Sequence, residues 1–240
     1  SVYAQRCVFR RARELGLKVM LDGQGADEIF GGYNWAVPRA MAAIARRSGW
    51  SKAWPHLRAI AGPRFPLWRL LAQAALYRLL PRVGDMPSDL GGALRASFAA
   101  LSLPSLLRYA DRNSMSFGVE ARLPFLDHRL IAAAARLAPE DVAGNGHTKA
   151  LLRRAVGNLL PREILDRRDK TAFAVPERRW VQAELCGPVR EAVRDPLWKT
   201  PDAPAAAKML RSALAETEGA PYRRASWKVL SVQRWYRVFF

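Results

Sequence analysis

One short stretch of this 240-residue chain reads as β-strand, and that scarcity constrains the fold more than any other feature. Leu17-Lys18-Val19-Met20-Leu21 is apolar and bounded by Gly16 and Asp22-Gly23, which predicts a short, buried strand. Ahead of it, Val8, Ala12 and Leu15 fall at helical spacing within Val2 to Leu15, with Phe9 beside them. After Gly31-Gly32 the pattern is helical: Arg39 to Arg47, Trp68 to Leu80, Leu94 to Leu101, Leu103 to Met115, His128 to Leu137 and Lys149 to Leu159. The last helix, Arg223 to Phe240, places Trp227, Leu230, Val232 and Trp235 to pack inward. Ser48 to Pro66 and Pro81 to Gly92, rich in Trp, Pro and Gly, read as loops. A lone strand cannot satisfy its own backbone hydrogen bonds, and this chain shows no obvious partner for it. The expected fold is therefore mostly α: the tail of an α/β sheet over residues 1–33, then a helical part over 34–240.

Half of the residues are apolar and a tenth aromatic, which excludes a disordered chain. Cys7 and Cys186 are the only cysteines and the histidines number three, too few for a disulfide scaffold or a Cys-built zinc site. Arg69, Gln73 and Arg78 interrupt the apolar stretch Leu67 to Leu80, so no bilayer span is read there, and no signal peptide is visible. The expected compartment is the cytoplasm. The 39 basic residues outnumber 21 acidic ones, and all but seven of the 39 are arginine. Their clusters, such as Arg10-Arg11 and Arg153-Arg154, sit inside helical patterns, which suits solvated helix faces better than a nucleic-acid surface.

Three segments concentrate chemistry. Asp22-Gly23-Gln24-Gly25-Ala26-Asp27-Glu28 follows the strand and leads into helix, where open α/β sheets bind ligands. Gly23-x-Gly25 allows backbone N–H groups to approach a phosphate, and Asp27 suits Mg²⁺ that shares its shell with phosphate oxygens. A plain Gly-rich turn with an Asp helix cap is the alternative. The second segment, Tyr109 to His128, embeds Asp111, Arg112, Glu120, Arg122 and Asp127 among residues that read as core. If buried, these ions need partners; alternatively Asp127 caps the helix beginning at His128. The third, Arg167 to Pro176, is a basic loop in which Lys170 can reach a phosphate as a point charge. His56, His128 and His147 read as structural, and no serine or cysteine has the setting of a nucleophile.

In this order the three segments resemble the synthetase domain of glutamine-dependent asparagine synthetases. The family's Ser-Gly-(Glu/Gln)-Gly-(Ala/Ser)-Asp-Glu-(Leu/Val)-Phe-Gly-Gly-Tyr segment is matched from Asp22 to Tyr33. Its Asp-Arg-x-Ser-Met…Glu-Ala-Arg-x-Pro-Phe-Leu-Asp segment is matched from Asp111 to Asp127. Its Lys-x-Gly-Phe-x-x-Pro is matched by Lys170 to Pro176, with Ala172 in place of Gly. The resemblance implies a PP-loop, adenine-nucleotide-α-hydrolase-like fold and an amide ligase that uses ATP and Mg²⁺. An aspartate carboxylate becomes an acyl-adenylate, and ammonia from an N-terminal glutaminase domain displaces AMP.

By resemblance, Asp27 ligates Mg²⁺ on the pyrophosphate and Lys170 stabilises its departure. Asp22, Gly23, Gln24 and Gly25 line the nucleotide and acyl-adenylate pocket, Gln24 and Asp111 act near the amine, and two copies associate as a homodimer. The family's Ser-Gly-Gly-x-Asp-Ser pyrophosphate loop and its glutaminase domain do not occur in this sequence, so the expectation is the C-terminal portion of a longer enzyme, inactive alone. Gln24 stands where asparagine-forming members typically carry Glu, which opens the alternative of a different amide product. A helical scaffold without activity is the remaining alternative.

Overall fold

The computed structural model of the chain describes residues 2–63, 65–168, 175–199 and 203–240. It is mostly helical and divides into two compact units, Ser1–Ala172 and Phe173–Phe240, a division that does not coincide with the 33/34 boundary expected from the strand signal. Each unit is described by itself.

The first unit opens with α1 (Val2–Glu14) and β1 (Val19–Leu21), then α2 (Ala26–Phe30), α3 (Ala36–Ser48), α4 (Trp50–Ile60) and α5 (Leu67–Leu79). A hairpin of β2 (Arg82–Val83) and β3 (Met86–Pro87) precedes α6 (Leu90–Ala96), which passes through a π-helical turn, Ser97–Leu101, into α7 (Leu103–Met115). Then come β4 (Glu120–Arg122), α8 (His128–Ala134), α9 (Pro139–Val142), the hairpin β5 (Ala143–Gly144) and β6 (His147–Thr148), α10 (Ala150–Ala155) and α11 (Arg162–Leu165).

The strand finds a partner within the chain. β1 pairs in parallel with β4, Val19 opposite Glu120 and Leu21 opposite Arg122, and the Asp22 N–H donates to the Arg122 carbonyl at 2.8 Å. Glu120-Ala121-Arg122 carries no β-branched or aromatic residue, so its composition does not mark a strand. Nor is β1 buried: Val19 is 42% and Leu21 73% exposed. The charges of the second segment are also not a buried network. Asp111, Arg112, Glu120 and Arg122 are exposed, and Glu120 pairs with Arg122 on the same strand face at 2.9 Å. Asp127 does cap α8, accepting from the Arg129 N–H at 2.8 Å.

The core of this unit gathers around α3. Val37, Ala40, Met41, Ile44 and Ala45 are essentially without exposure, and the alanines among them let α4 and α5 approach closely. The Trp- and Pro-rich stretch expected as a loop forms α4, with Pro55 inside it. Ala53, Leu57 and Ile60 lie at i, i+4 and i+7, and their burial against α3 outweighs the backbone bond that Pro55 removes. The other expected loop folds as the β2–β3 hairpin, after which Asp89 caps α6 by accepting from the Gly92 N–H at 2.6 Å. The helical run Leu90–Met115, 26 residues, is long and apolar enough to cross a membrane by length and composition. The interruption argument for Leu67 to Leu80 does not reach it; here Leu90, Ala93, Ser97, Leu103 and Ala110 are buried within the unit.

The second unit is α12 (Glu177–Gln182), α13 (Cys186–Val193), α14 (Ala203–Thr217) and α15 (Ala225–Phe239) around Val189, Ala192, Ala213, Ala225 and Val229. Its α15 buries Ser226, Val229 and Gln233. Val232 and Trp235, expected inward, are 40% and 54% exposed, because Ser226 and Gln233 answer buried acids. Glu216 accepts from the Ser226 N–H and hydroxyl and from the Arg223 and Ala225 N–H groups, capping α15. Burial pushes the Glu216 carboxyl up, but those bonds outweigh it and hold it below the ordinary range. Asp195 receives Gln233 at 2.9 Å and Arg237 at 2.8 Å.

Leu57→Ala, at a side chain with no exposed surface, is expected to lower unfolding free energy by about 2–5 kcal/mol. Leu79→Ala, 80% exposed, is expected to change it by less than about 0.5 kcal/mol. Urea unfolding of both variants checks the contrast.

Candidate functional site

The turn after β1 sets the site. Gly25, at φ +93°, takes a left-handed conformation that starts α2, and a side chain there would overlap Leu126. The two acidic residues of α2 then meet different surroundings. Glu28 is 1% exposed. Tyr33 Oη donates to its Oε1 at 2.5 Å and Ser102 Oγ at 3.0 Å, with the two hydroxyl oxygens 2.9 Å apart. Burial, then the bond to Glu28, holds the Tyr33 phenol well above its ordinary value, so it stays protonated.

Asp27 instead forms part of the wall of a cavity of about 480 Å³. The rest comes from Gly32, the residues following α4, the β5–β6 hairpin with Lys149, and Arg153, Arg167 and Arg168. Asn145 and Gly146, at φ 51° and 81°, form a hairpin turn of the type that Asn-Gly favours. The hairpin delivers Lys149, itself left-handed at φ 54°, to the start of α10. Its Nζ lies 2.5 Å from Asp27 Oδ1. Gly32 permits this approach, since a Cβ there would overlap both the Asp27 carboxylate and Lys149 Cε.

Arg153 braces the wall, donating to the carbonyls of Thr148 at 3.0 Å and Arg167 at 2.9 Å and to that of Leu165. His147 lines the cavity, and its Nδ1 is buried without a hydrogen-bond partner among the described residues. Burial, then Arg153 and Arg168, lowers the His147 pKa from its ordinary value, with Asp166 opposing.

Chemically the lining presents Lys149, Arg153, Arg167 and Arg168 against one carboxylate, Asp27. Such a wall suits a ligand with several negative charges, a polyphosphate before a lone carboxylate. Among the described residues no three His, Cys, Asp or Glu side chains gather as a metal cage. One carboxylate with basic side chains beside it fits Mg²⁺, which usually keeps water and takes oxygens from a bound phosphate; the ammonium already against Asp27 shows that the position accepts a cation.

Of the residues predicted from sequence, Asp27 lines the cavity. Asp22, Gly23, Gln24 and Gly25 form the turn between β1 and α2, outside the lining, and no neighbour crowds the Cβ position at Gly23. Asp111 is exposed on α7 and not in the lining. Lys170 lies outside the described residues, whereas Arg167 and Arg168 of the same segment line the wall. Sequence reasoning missed Lys149, Arg153 and the cavity position of His147. The Asn145-Gly146 dipeptide was the available signal, because a tight hairpin there brings the following His-Thr-Lys to one edge.

The asparagine synthase family model matches residues 1–237. Asparagine synthetase [glutamine-hydrolyzing] 1 of Bacillus subtilis is 29% identical over 213 residues, 74% of this chain and 34% of its own length. Asparagine synthetase B [glutamine-hydrolyzing] of Escherichia coli is 27% identical over 157 residues, 65% of this chain and 20% of its own. Asparagine synthetase [glutamine-hydrolyzing] of Mesocricetus auratus is 48% identical over 68 residues, 27% of this chain and 12% of its own. The chain thus spans about a third or less of the curated relatives it matches.

The lowered His147 pKa has a defined sign. The fold favours neutral imidazole, so its contribution to stability is full above the ordinary value of 6.5 and falls as pH drops through 6.5 toward the folded value, where the unfolded chain takes the proton first. The melting temperature is expected to fall between pH 7.5 and 5, and to fall less in His147→Gln. Equal pH slopes in the two proteins would contradict the assignment.

Proposed function

Because the chain belongs to the asparagine synthase family, we propose that it carries the synthetase chemistry of an ATP-dependent, glutamine-using amide ligase, with aspartate as the carboxylate. The observation that carries the reading is that Asp27, from the Gly-rich segment, lines one cavity with Lys149, Arg153, Arg167 and Arg168. In this reaction negative charge collects on a departing pyrophosphate, so catalysis is mostly neutralisation and positioning.

In this reading Lys149, Arg167 and Arg168 hold phosphate oxygens, with Arg153 bracing the loop that presents the two arginines. Lys170 adds a point charge at the leaving pyrophosphate. Asp27 is the residue to hold Mg²⁺, which when bound neutralises phosphate charge. Asp22 to Gly25 form the edge nearest the nucleotide and acyl-adenylate. Ammonia comes from glutamine by way of a glutaminase domain of the longer protein; the Bacillus subtilis and Escherichia coli relatives are named as glutamine-hydrolysing.

One residue favours a second reading within the same class. Ammonia attacking an acyl-adenylate becomes cationic and must lose a proton before AMP leaves. Gln24 has no useful basicity and orients through hydrogen bonds alone, while Asp111 is exposed outside the cavity lining. The amine in this protein is then one whose base lies elsewhere, and the product an amide other than asparagine.

In the full-length protein Asp27→Asn and Lys170→Met are each expected to lower ATP-dependent pyrophosphate release by about two orders of magnitude, roughly 3 kcal/mol, with far-UV circular dichroism unchanged. Near-wild-type release by either overturns that residue's role. In the full-length protein Gln24→Glu is expected to raise asparagine formation from aspartate, ATP and ammonia; equal, fast rates in both proteins favour plain asparagine synthesis.

A further inference from the structure

The contact between Lys149 and Asp27 bears on how the cavity fills. Their charged atoms are 2.5 Å apart, and both side chains are about three-quarters covered, 28% and 27% exposed. The arrangement is built rather than incidental. Gly32 leaves room for it and for no side chain, and Lys149 holds a left-handed backbone at φ 54° that lysine otherwise avoids.

For a divalent cation arriving alone, taking Asp27 means displacing this ammonium. The displaced charge then stays in a cavity that Arg153, Arg167 and Arg168 also line, with Asp166 acting on Arg153 as a partial offset. Two positive charges have then been added beside those already lining the cavity, and in a partly desolvated site that repulsion is poorly screened. A polyphosphate arriving with the cation changes the balance. Its oxygens give the ammonium, the arginines and the cation an anionic partner at once.

We propose that Lys149 is a tethered cation in competition for Asp27, so that the cavity admits a divalent cation only together with a polyphosphate and not beforehand. This rests on Asp27 being the metal-holding residue of the proposed function. Lys149 acts here as a positioning residue: it keeps the carboxylate oriented in the cavity and moves to phosphate when the loaded ligand enters.

The test is equilibrium dialysis of Mn²⁺ against the full chain, with and without inorganic pyrophosphate on both sides of the membrane and with no turnover. Mn²⁺ chelated by free pyrophosphate then equalises, and the excess on the protein side is what the protein holds. Wild type is expected to bind Mn²⁺ alone weakly and about tenfold or more tightly with pyrophosphate present. Lys149→Met and Lys149→Gln, which keep the stem and remove the charge, are expected to bind Mn²⁺ alone about tenfold more tightly than wild type. The gain from pyrophosphate should narrow accordingly. Asp27→Asn is expected to lose Mn²⁺ binding under both conditions.

If Asp27→Asn binds like wild type, the assignment of Asp27 fails and the competition with it. If Asp27→Asn loses binding but both neutral Lys149 variants bind Mn²⁺ alone no tighter than wild type, Asp27 stands and the competition alone is overturned. Circular dichroism melting of each variant identifies a misfolded one, and the other Lys149 variant then decides.

Discussion

Glu28 is a carboxylate with 1% of its surface exposed, and the placement of the cavity depends on how that charge is satisfied. A buried carboxylate is costly unless its lone pairs meet donors. Two hydroxyls meet it: Tyr33, five residues on, and Ser102, where the π-helical turn hands over to α7. The triangle therefore ties the short α2 to a distant helix start. Tyr33 stacks on Trp35 at 5.6 Å with rings 15° apart, and Trp35 lies 5.4 Å from the Arg39 guanidinium, which sits 4.1 Å over Tyr77. So α2, α3, α5 and the start of α7 are fixed together around one acid. Asp27, its neighbour in sequence, lies about 100° further round the same helix and lines the cavity.

Arginine explains much of the rest, and its abundance is structural before it is electrostatic. Arg39 is 2% exposed and donates to the carbonyls of Trp35 and Pro87. Arg46 donates to the Tyr77 carbonyl at the end of α5, and Arg78 returns a bond to Ala45 in α3. Arg153 holds three carbonyls around the cavity. A guanidinium can bridge several helix-end carbonyls where an ammonium cannot, which suits a chain of short helices with many ends. The same residues leave positive charge around one cavity, so a charge excess that looks like a diffuse surface property is partly a consequence of bracing.

The helices that pack by periodicity were legible: α3, α5 and α7 show their apolar stripes, and α7 begins and ends where Leu103 and Met115 predict. What escaped were features decided by tertiary partners. β4 is three residues of poor strand propensity that pair because β1 lies beside them. α4 contains a proline that local rules read as a break, yet Leu57 and Ile60 have a helix surface to cover. The stripe on α15 turned because Glu216 and Asp195 claim Ser226, Gln233 and Arg237, acids that no pattern in α15 announces. In the site, the Gly-rich segment marked Asp27. Its counterpart Lys149 stands 122 residues later and carries no motif by itself; only the fold makes them neighbours.

The strain at Lys149 shows which demand prevails there. A non-glycine residue in the left-handed region costs on the order of 1 kcal/mol or more. Asn and Gly, the residues that tolerate it best, occupy the two other such positions of this hairpin, Asn145 and Gly146. Lysine at 149 therefore forgoes backbone stability that the hairpin takes elsewhere. Its ammonium, held against Asp27 across Gly32, is the compensating feature. A three-quarters-covered ion pair is a modest stabiliser, because desolvation offsets much of its attraction. Folding alone is thus a weak reason to keep a strained lysine at the edge of a cationic cavity, and charge placement for an anionic ligand is a strong one.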